Sequence, residues 1–419
     1  MRRVRRLALW SSRPETSLPA QIVASSRTLI ISGAGIAGLT TALALAHRGF
    51  RALILEQAEK LQETGAGLQL APNATRILRE LGVAERLKNC VVVPQALSVK
   101  NGKSGRETVR MPLGEAAEFR YGAPYWLVHR ADLQAALLET ANVNPDVELR
   151  LGERVDDFAD HAHGLTVQVV RGANVREERG MALVGADGLW SRLRTRLVDD
   201  GKPHFNGRAA WRATLPAEKA PKEFREPVIH LWLGRSAHLV HYPVRGGALI
   251  NIVAIAPDRN PGQSWSETGT REEVLRHFSI ESWAPRAREF LTRPERWLKW
   301  SLHDRPAFRV PGRGPVTLVG DAAHPMLPFL AQGAAMAIED AAILAQRLAE
   351  SPNALAEAMR RYEGQRHPRI ADVYRAVRRT GALYHLGGPA ALARDVGMWA
   401  MGGEKLRTRY DWLYDWRAA

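Results

Sequence analysis

The sequence predicts an α/β protein: a parallel sheet built from βαβ units, an antiparallel β layer inserted into it, and helices toward the C-terminal end. Three observations carry this expectation. A strand–turn–helix pattern opens at residue 28 around Gly33-Ala34-Gly35-Ile36-Ala37-Gly38. Tryptophan-rich alternating runs fill residues 203–304. The chain then returns to its first style with an apolar run at 316–319, Gly320-Asp321, and alanine-rich helical stretches.

In chain order, 28–32 reads as a buried parallel strand, because it is apolar without alternation. An Ala/Leu-rich helix to about His47 follows, and 51–56 completes a βαβ unit. Residues 72–88 carry helical spacing. Residues 96–111 alternate about Asn101-Gly102-Lys103-Ser104-Gly105, a hairpin signal. A helix over 131–141 leads into a strand series through 147–186 that ends directly before Asp187-Gly188. Runs at 228–233, 238–242 and 249–255 mark the inserted sheet, and helices are expected over 333–349 and 354–380. The division that follows is a disordered tail (1–27), a nucleotide-binding domain in two parts (28–202 and 305–380), an inserted β domain (203–304) and a helical, aromatic segment (381–419). A hairpin near 96–124 joins the inserted domain.

Bulk properties narrow the class. The 419 residues carry a formal charge of +15, 45% hydrophobic residues and a mean hydropathy of −0.26, as in a globular protein. No apolar run approaches the ~20 residues of a membrane span. The arginines are spread along the chain with no nucleic-acid module among them, so the charge suits anionic cofactors and substrates instead. The sole cysteine, Cys90, excludes an internal disulfide, fits a reducing cytoplasm, and reads as a small core residue rather than a nucleophile. In the first segment Arg2, Arg3, Arg5 and Arg6 precede only a short apolar stretch, brief for a secretory apolar core, which leaves an export signal the weaker option. It reads as a tail or as sequence upstream of the true start.

The chemistry lies in the glycine turns. Gly33 permits the tight turn, Gly35 lets the backbone approach a pyrophosphate, and Gly38 lets helix and strand pack closely. The helix N-terminus then offers free N–H groups to phosphate. Glu56, ending the next strand, can accept from ribose hydroxyls and disfavours a 2′-phosphate. This pattern by itself does not separate FAD from NAD. Two further segments do: Gly185-Ala186-Asp187-Gly188-Leu189-Trp190-Ser191-Arg192-Leu193-Arg194, and Gly320-Asp321-Ala322-Ala323-His324-Pro325 followed by Gln332-Gly333.

With these the chain resembles the class A flavoprotein monooxygenases, particularly the salicylate and hydroxybenzoate hydroxylase branch, over about residues 28–380. The resemblance implies a Rossmann-like, GR2-type FAD-binding domain with an inserted substrate-binding sheet. It implies FAD as cofactor and NADH or NADPH as co-substrate. Asp187 and Gly188 are implied to lie near FAD and the path of NAD(P)H, Asp321 to hold a ribityl hydroxyl, and Arg130 to contact FAD near its phosphates. Gln332 and Gly333 open a helix whose N-terminus would face the flavin, where N–H donors stabilise the negative charge of its reduced form. Residues 65–69 resemble the loop beside the flavin ring. The chain departs from many relatives at Ala331, often Gly there, and at Ala335, often Asn.

On the substrate side, His238 and Tyr242 are four apart in a strand, hence on one face. The resemblance implies that they line the pocket, with His238 drawing off a phenol proton. The bland alternative is a satisfied sheet histidine. Pro328 stands where hydroxybenzoate 6-hydroxylases place a glutamine, so their exact substrate does not carry over. Arg212 and Arg245 can each pair with a substrate carboxylate or be structural. His161 and His163 lack partner ligands, and no metal is assigned.

The reading is an FAD-dependent monooxygenase that hydroxylates a small phenolic acid with NAD(P)H and O2, through the flavin C4a-hydroperoxide the family implies. It would act as a monomer or homodimer, without nucleic acid or membrane. The alternatives are epoxidation or Baeyer–Villiger oxidation of a non-aromatic compound, or a flavin-binding redox regulator.

Overall fold

The computed structural model describes residues 28–61, 66–162, 164–198, 200–259, 266–305 and 312–418. The expected tail at 1–27, Gly65 and His163 lie outside the described residues.

The nucleotide-fold strands form one parallel sheet in the order Val316–Leu318, Ala182–Gly185, Thr28–Ser32, Arg51–Glu56 and Val147–Leu151. These strands lack alternation because both faces are buried: helices Ile36–His47 and Gly333–Glu350 cover one, and the three-stranded sheet of Arg154–His161, Gly164–Arg171 and Asn174–Gly180 covers the other. The order has a functional consequence. The three strands at one side of this sheet are the ones followed by Gly320-Asp321, Asp187-Gly188 and Gly33. Segments separated by most of the chain therefore emerge side by side at the carboxyl ends of neighbouring parallel strands, where open α/β sheets bind ligands.

An eight-stranded sheet faces this body. Its order is Ser266–Gly269, Trp297–Asp304, His204–Pro216, Leu249–Pro257, His238–Val244, Val228–Leu233, Ala96–Asn101 and Glu107–Pro112. The hairpin thus adds two strands to the sheet formed by 204–304. The sheet is not wholly antiparallel as expected: Val228–Leu233 pairs parallel with Ala96–Asn101, because the hairpin reaches it from a distant part of the chain. Alternation along these strands is real. Trp211, Trp232, Leu239 and Ile252 build a core on the outer face, while Tyr242 and Ile255 join the nucleotide-fold core on the other.

Several local expectations need correction. The helical spacing over 72–88 belongs to two helices, Pro72–Glu80 and Ala84–Leu87, separated at Gly82 with its φ of +73°. Gly67–Leu70 is a strand paired with Trp126–His129 rather than a loop. The helix expected over 354–380 runs on to Tyr384, four residues beyond the expected end, and a further helix, Gly388–Thr408, follows it. Of the C-terminal aromatics, Tyr414 packs edge-on against Tyr121 and Tyr125 at 5.7 and 6.0 Å, whereas Trp399 and Trp412 are exposed. Cys90 is half-buried, and burial pushes its thiol up. Among the described residues no helix is long and apolar enough to cross a membrane.

Candidate active site

The glycine turn is built by steric necessity. Gly33 has φ +104° and donates its N–H to the Leu55 carbonyl at 2.8 Å. A side chain on it would meet the Ala186 carbonyl oxygen at 2.6 Å, and one on Gly38 would run into the Gly33 carbonyl. Gly35 differs: a Cβ there would meet nothing within 4 Å, so this turn faces open space at the start of helix Ile36–His47. Glu56 accepts from the Ala34 and Ala58 N–H groups at 2.7 and 2.9 Å. That fixes the turn and leaves carboxylate lone pairs for a further donor.

Asp187 sits at the next strand end. Its Oδ2 accepts from the N–H groups of Arg192 and Leu193 at 2.9 and 3.3 Å, while buried Oδ1 has no partner among the described residues. Burial raises its carboxyl above the usual range, against the lowering effect of these hydrogen bonds and Ser191. Arg194, fully buried, ties this segment to the third: its Nη1 donates to the carbonyls of Ala322 and Ala323 at 3.1 and 2.5 Å, and its Nε to Asp200 at 2.8 Å.

At the third strand end, Asp321 has no hydrogen-bond partner among the described residues and opens onto the cleft. The protein around it desolvates and raises its carboxyl, with Arg130 and His324 opposing. Arg130 starts helix Arg130–Asn142 and donates its N–H to the Ala66 carbonyl at 3.0 Å. Its guanidinium has no ion-pair or hydrogen-bond partner among the described residues. Gln332 is the N-cap of Gly333–Glu350; a Cβ on Gly333 would come no closer than 4.0 Å to Met326, so the helix start is open. Just before it Ala331 adopts φ +53°, a glycine conformation that costs alanine about 1 kcal/mol. Ala331→Gly is expected to stabilise the protein by roughly 0.5 kcal/mol after glycine's extra unfolded-state entropy, read as a small rise in melting temperature with flavin content unchanged.

A buried polar network beneath this turn has no counterpart in the motifs. Asp340 Oδ2 accepts from the Gly320 N–H at 2.8 Å and meets His324 Nε2 at 2.5 Å, and Oδ1 accepts from Arg366 Nε at 2.7 Å. Glu339 accepts from Arg366, Arg369 and Asn73 at 2.6, 2.8 and 2.7 Å, and Asn73 also donates to Gln332 Oε1 at 3.2 Å. Burial would raise Asp340, but His324, Arg366 and the Gly320 N–H prevail and bring its carboxyl to about 2. The available signal was the acidic pair Glu339-Asp340 inside an otherwise apolar helical run.

The cleft floor is the inner face of the large sheet. His238 and Tyr242 share it, about 13 Å apart along the strand, with Val240 between them. Register places Val240 beside Val253 and Val253 beside Arg212. These three residues are half-buried where their strand neighbours are mostly buried, so they form an accessible row with an arginine at one end. The Arg212 guanidinium stacks over Trp300 at 4.2 Å. It has no carboxylate partner among the described residues, and its Nε is buried and unpaired. Burial lowers it to about 10, with Arg130 adding to the effect and Tyr242 opposing. Arg245, by contrast, is held by Asp132 at 3.0 Å.

The two pocket candidates have different surroundings. Tyr242 lies against Gly67, where a Cβ would meet its ring at 2.6 Å, and near Gln69, which accepts from Tyr125 Oη at 3.0 Å. Asn251 accepts from the Gly67 N–H at 2.6 Å. Burial pushes the Tyr242 hydroxyl up. His238 lies among Phe329, Tyr384 and His385, with its Nδ1 2.8 Å from His385 Nε2. Burial, then His385 and Arg208, keeps it neutral, well below the usual histidine value. His161 contacts Thr166 at the surface.

Comparison with known proteins adds the family. The profile for an FAD binding domain matches residues 26–377. A 3-hydroxybenzoate 6-hydroxylase of Klebsiella oxytoca is 36% identical, covering 93% of this chain and 96% of the relative. A 3-amino-4-hydroxybenzoate 2-monooxygenase of Streptomyces platensis is 37% identical over the same shares. A salicylate hydroxylase substrate complex superposes with a TM-score of 0.78 at 24% identity, covering 93% of this chain and 95% of that one, which speaks to the fold. The chain belongs to the FAD-binding class A flavoprotein monooxygenases. It is an FAD-dependent aromatic monooxygenase, of the class that uses NAD(P)H as co-substrate.

The residues present fit FAD. An open helix start at Gly35, an orphaned Asp187 oxygen, a second open helix start at Gly333, and Asp321 and Arg130 close enough to interact leave groups suited to phosphate, ribityl and ring unsatisfied.

Proposed function

We propose that this enzyme hydroxylates a small aromatic ring bearing a phenol and a carboxylate, and that the cleft floor recognises both groups. The observation carrying this reading is the row Arg212–Val253–Val240 beside His238: an unpaired cation, an apolar patch and a neutral base on one face. FAD, reduced by NAD(P)H, supplies the activation of O2 from which one oxygen atom enters the ring. Gly33, Gly35 and Gly38 would accept its pyrophosphate, with Arg130 near the phosphates, Glu56 on the adenosine ribose and Asp321 on the ribityl chain. The N–H groups opening the helix at Gly333, with Gln332, would stabilise the reduced ring, and Asp187-Gly188 would line its rim.

The protein's part in the reaction is orientation and proton handling. An electrophilic oxygen needs an electron-rich ring, and phenolate is far richer than phenol. His238, neutral and buried, can take the phenol proton. Arg212 stacked on Trp300 can hold the carboxylate, with Val240 and Val253 beneath the ring and Tyr242 closing the far end. Burial of the floor excludes water, which limits loss of reducing power to H2O2.

The division into a two-part FAD-binding body (28–202 and 305–380), an inserted substrate domain (203–304) and a C-terminal segment is part of this reading, supported by the sheet memberships above. A cytoplasmic setting suits NAD(P)H supply, and the protein would work as a monomer or, as the family implies, a homodimer.

The test is NADH and NADPH oxidation across hydroxybenzoates, aminohydroxybenzoates, hydroxynicotinates and uncharged phenols, with H2O2 quantified. Strong stimulation by one aromatic acid with little peroxide is expected; stimulation by none would overturn the reading. Arg212→Gln is expected to weaken binding of that acid by about 10–100-fold, the loss typical of a charge-assisted hydrogen bond, while leaving binding of the matching carboxamide nearly unchanged. Flavin absorbance titration reads both, and equal losses for acid and amide would count against a carboxylate contact.

A further inference from the structure

The His238 base, taken from the proposed function, has a partner that no motif announces. His385 follows the long helix that ends at Tyr384, far along the chain from the pocket strand, yet its Nε2 lies 2.8 Å from His238 Nδ1. The rings stand 5.0 Å apart, and Phe329 flanks both at 5.7 and 5.4 Å. His238 is buried and His385 is half-buried, so the pair leads from the cleft toward the surface.

We propose that His385 is a positioning residue that fixes His238 in the tautomer with a free Nε2 lone pair facing the substrate. Two imidazoles in hydrogen-bond contact need one donor and one acceptor. In the proposed arrangement, His385 Nε2 is the acceptor of the 2.8 Å contact. His238 must then donate through Nδ1–H, which leaves its Nε2 unprotonated. That nitrogen has no other partner among the described residues.

The proton balance is simple. The phenol O–H bond breaks as the His238 Nε2–H bond forms, the resulting imidazolium keeps its Nδ1–H bond to His385 Nε2, and His238 gives up the Nε2 proton to water after the product leaves. The titratable and charged groups around the His385 ring are His238, Arg208 and Arg394. Both cations are engaged elsewhere: Arg208 donates to the Ser236 carbonyl at 2.7 Å, and Arg394 pairs with Asp395 at 2.7 Å. Burial first, and then Arg208, lower His385 to about 4, so at neutral pH it is an uncharged ring that can accept a hydrogen bond.

Asparagine and leucine have the same shape, but only asparagine offers an acceptor, so H385N and H385L separate hydrogen bonding from packing. The holoenzyme is titrated with its best aromatic acid, and difference absorbance gives the pH midpoint at which the bound phenol becomes phenolate. H385L is expected to raise that midpoint by about one pH unit, a tenfold loss of phenolate, and to lower turnover about tenfold at neutral pH. Substrate affinity and flavin content should hold, and H385N should recover most of the loss. An unchanged midpoint in H385L, or equal shifts in H385N and H385L, would overturn the proposal. His238→Gln is the control: if it leaves the midpoint in place, His238 is not the base and the underlying reading fails instead.

Discussion

Replacing His238 with glutamine is expected to lower the hydroxylation rate about 10²–10⁴-fold, the range for losing a positioned general base, with FAD retained. Glutamine keeps a polar side chain of similar reach but cannot take up a proton. The defect should shrink as pH rises, because a phenol with a pKa near about 10 then ionises without help. Uncoupling should accompany the loss: NAD(P)H is still oxidised when substrate binds, but more of it ends as H2O2 because the ring is too poor in electrons to react. A variant that hydroxylates at the original rate and pH dependence would return His238 to the role of a satisfied sheet histidine.

The second large effect is expected far from the substrate. Asp340→Asn removes one charge from a fully buried set that includes His324, Arg366 and the Gly320 N–H. Breaking a buried pair by removing one partner costs about 3–5 kcal/mol, a fall in melting temperature on the order of 10 °C for a domain of this size. Because Asp340 N-terminally anchors the Gly320-Asp321 turn, flavin content should fall as well. The pH dependence has a definite sign. The folded-state pKa of Asp340, about 2, lies below its unfolded value, so its stabilisation is complete above about pH 4 and is lost as pH falls through about 2. The wild type should therefore show an acid-side loss of stability that D340N lacks. Equal melting temperatures for the two proteins would show that the network is not under the strain of charge assigned to it.

The contrast between these two sites shows what a sequence can reveal. Gly33, Asp187 and Gly320 are legible because each ends an apolar strand and each requires a specific backbone turn, so local chemistry leaves a local mark. Their adjacency needs only the strand order of one parallel sheet. His238 and Tyr242 are legible as a pair because strand periodicity puts them on one face. Their surroundings are not, since Gln69, Asn251 and Arg212 arrive from three other strands whose register no local pattern specifies. Arg212 and Arg245 look alike in sequence, and only tertiary structure reveals that Asp132 holds Arg245 and that no carboxylate among the described residues holds Arg212. His385 lay furthest from view, because a residue just past a helix end carries no periodicity. Its meeting with His238 depends on how the helix ending at Tyr384 lies against the sheet.

The most direct measurement is hydroxylation under isotopically labelled O2, with the aromatic acid that best stimulates NAD(P)H oxidation. Product carrying one labelled oxygen on the ring, formed in step with NAD(P)H consumed and with little H2O2, is the result expected of an FAD-dependent aromatic hydroxylase. NAD(P)H oxidation that yields only peroxide and unlabelled aromatic acid, for every acid tried, would contradict it.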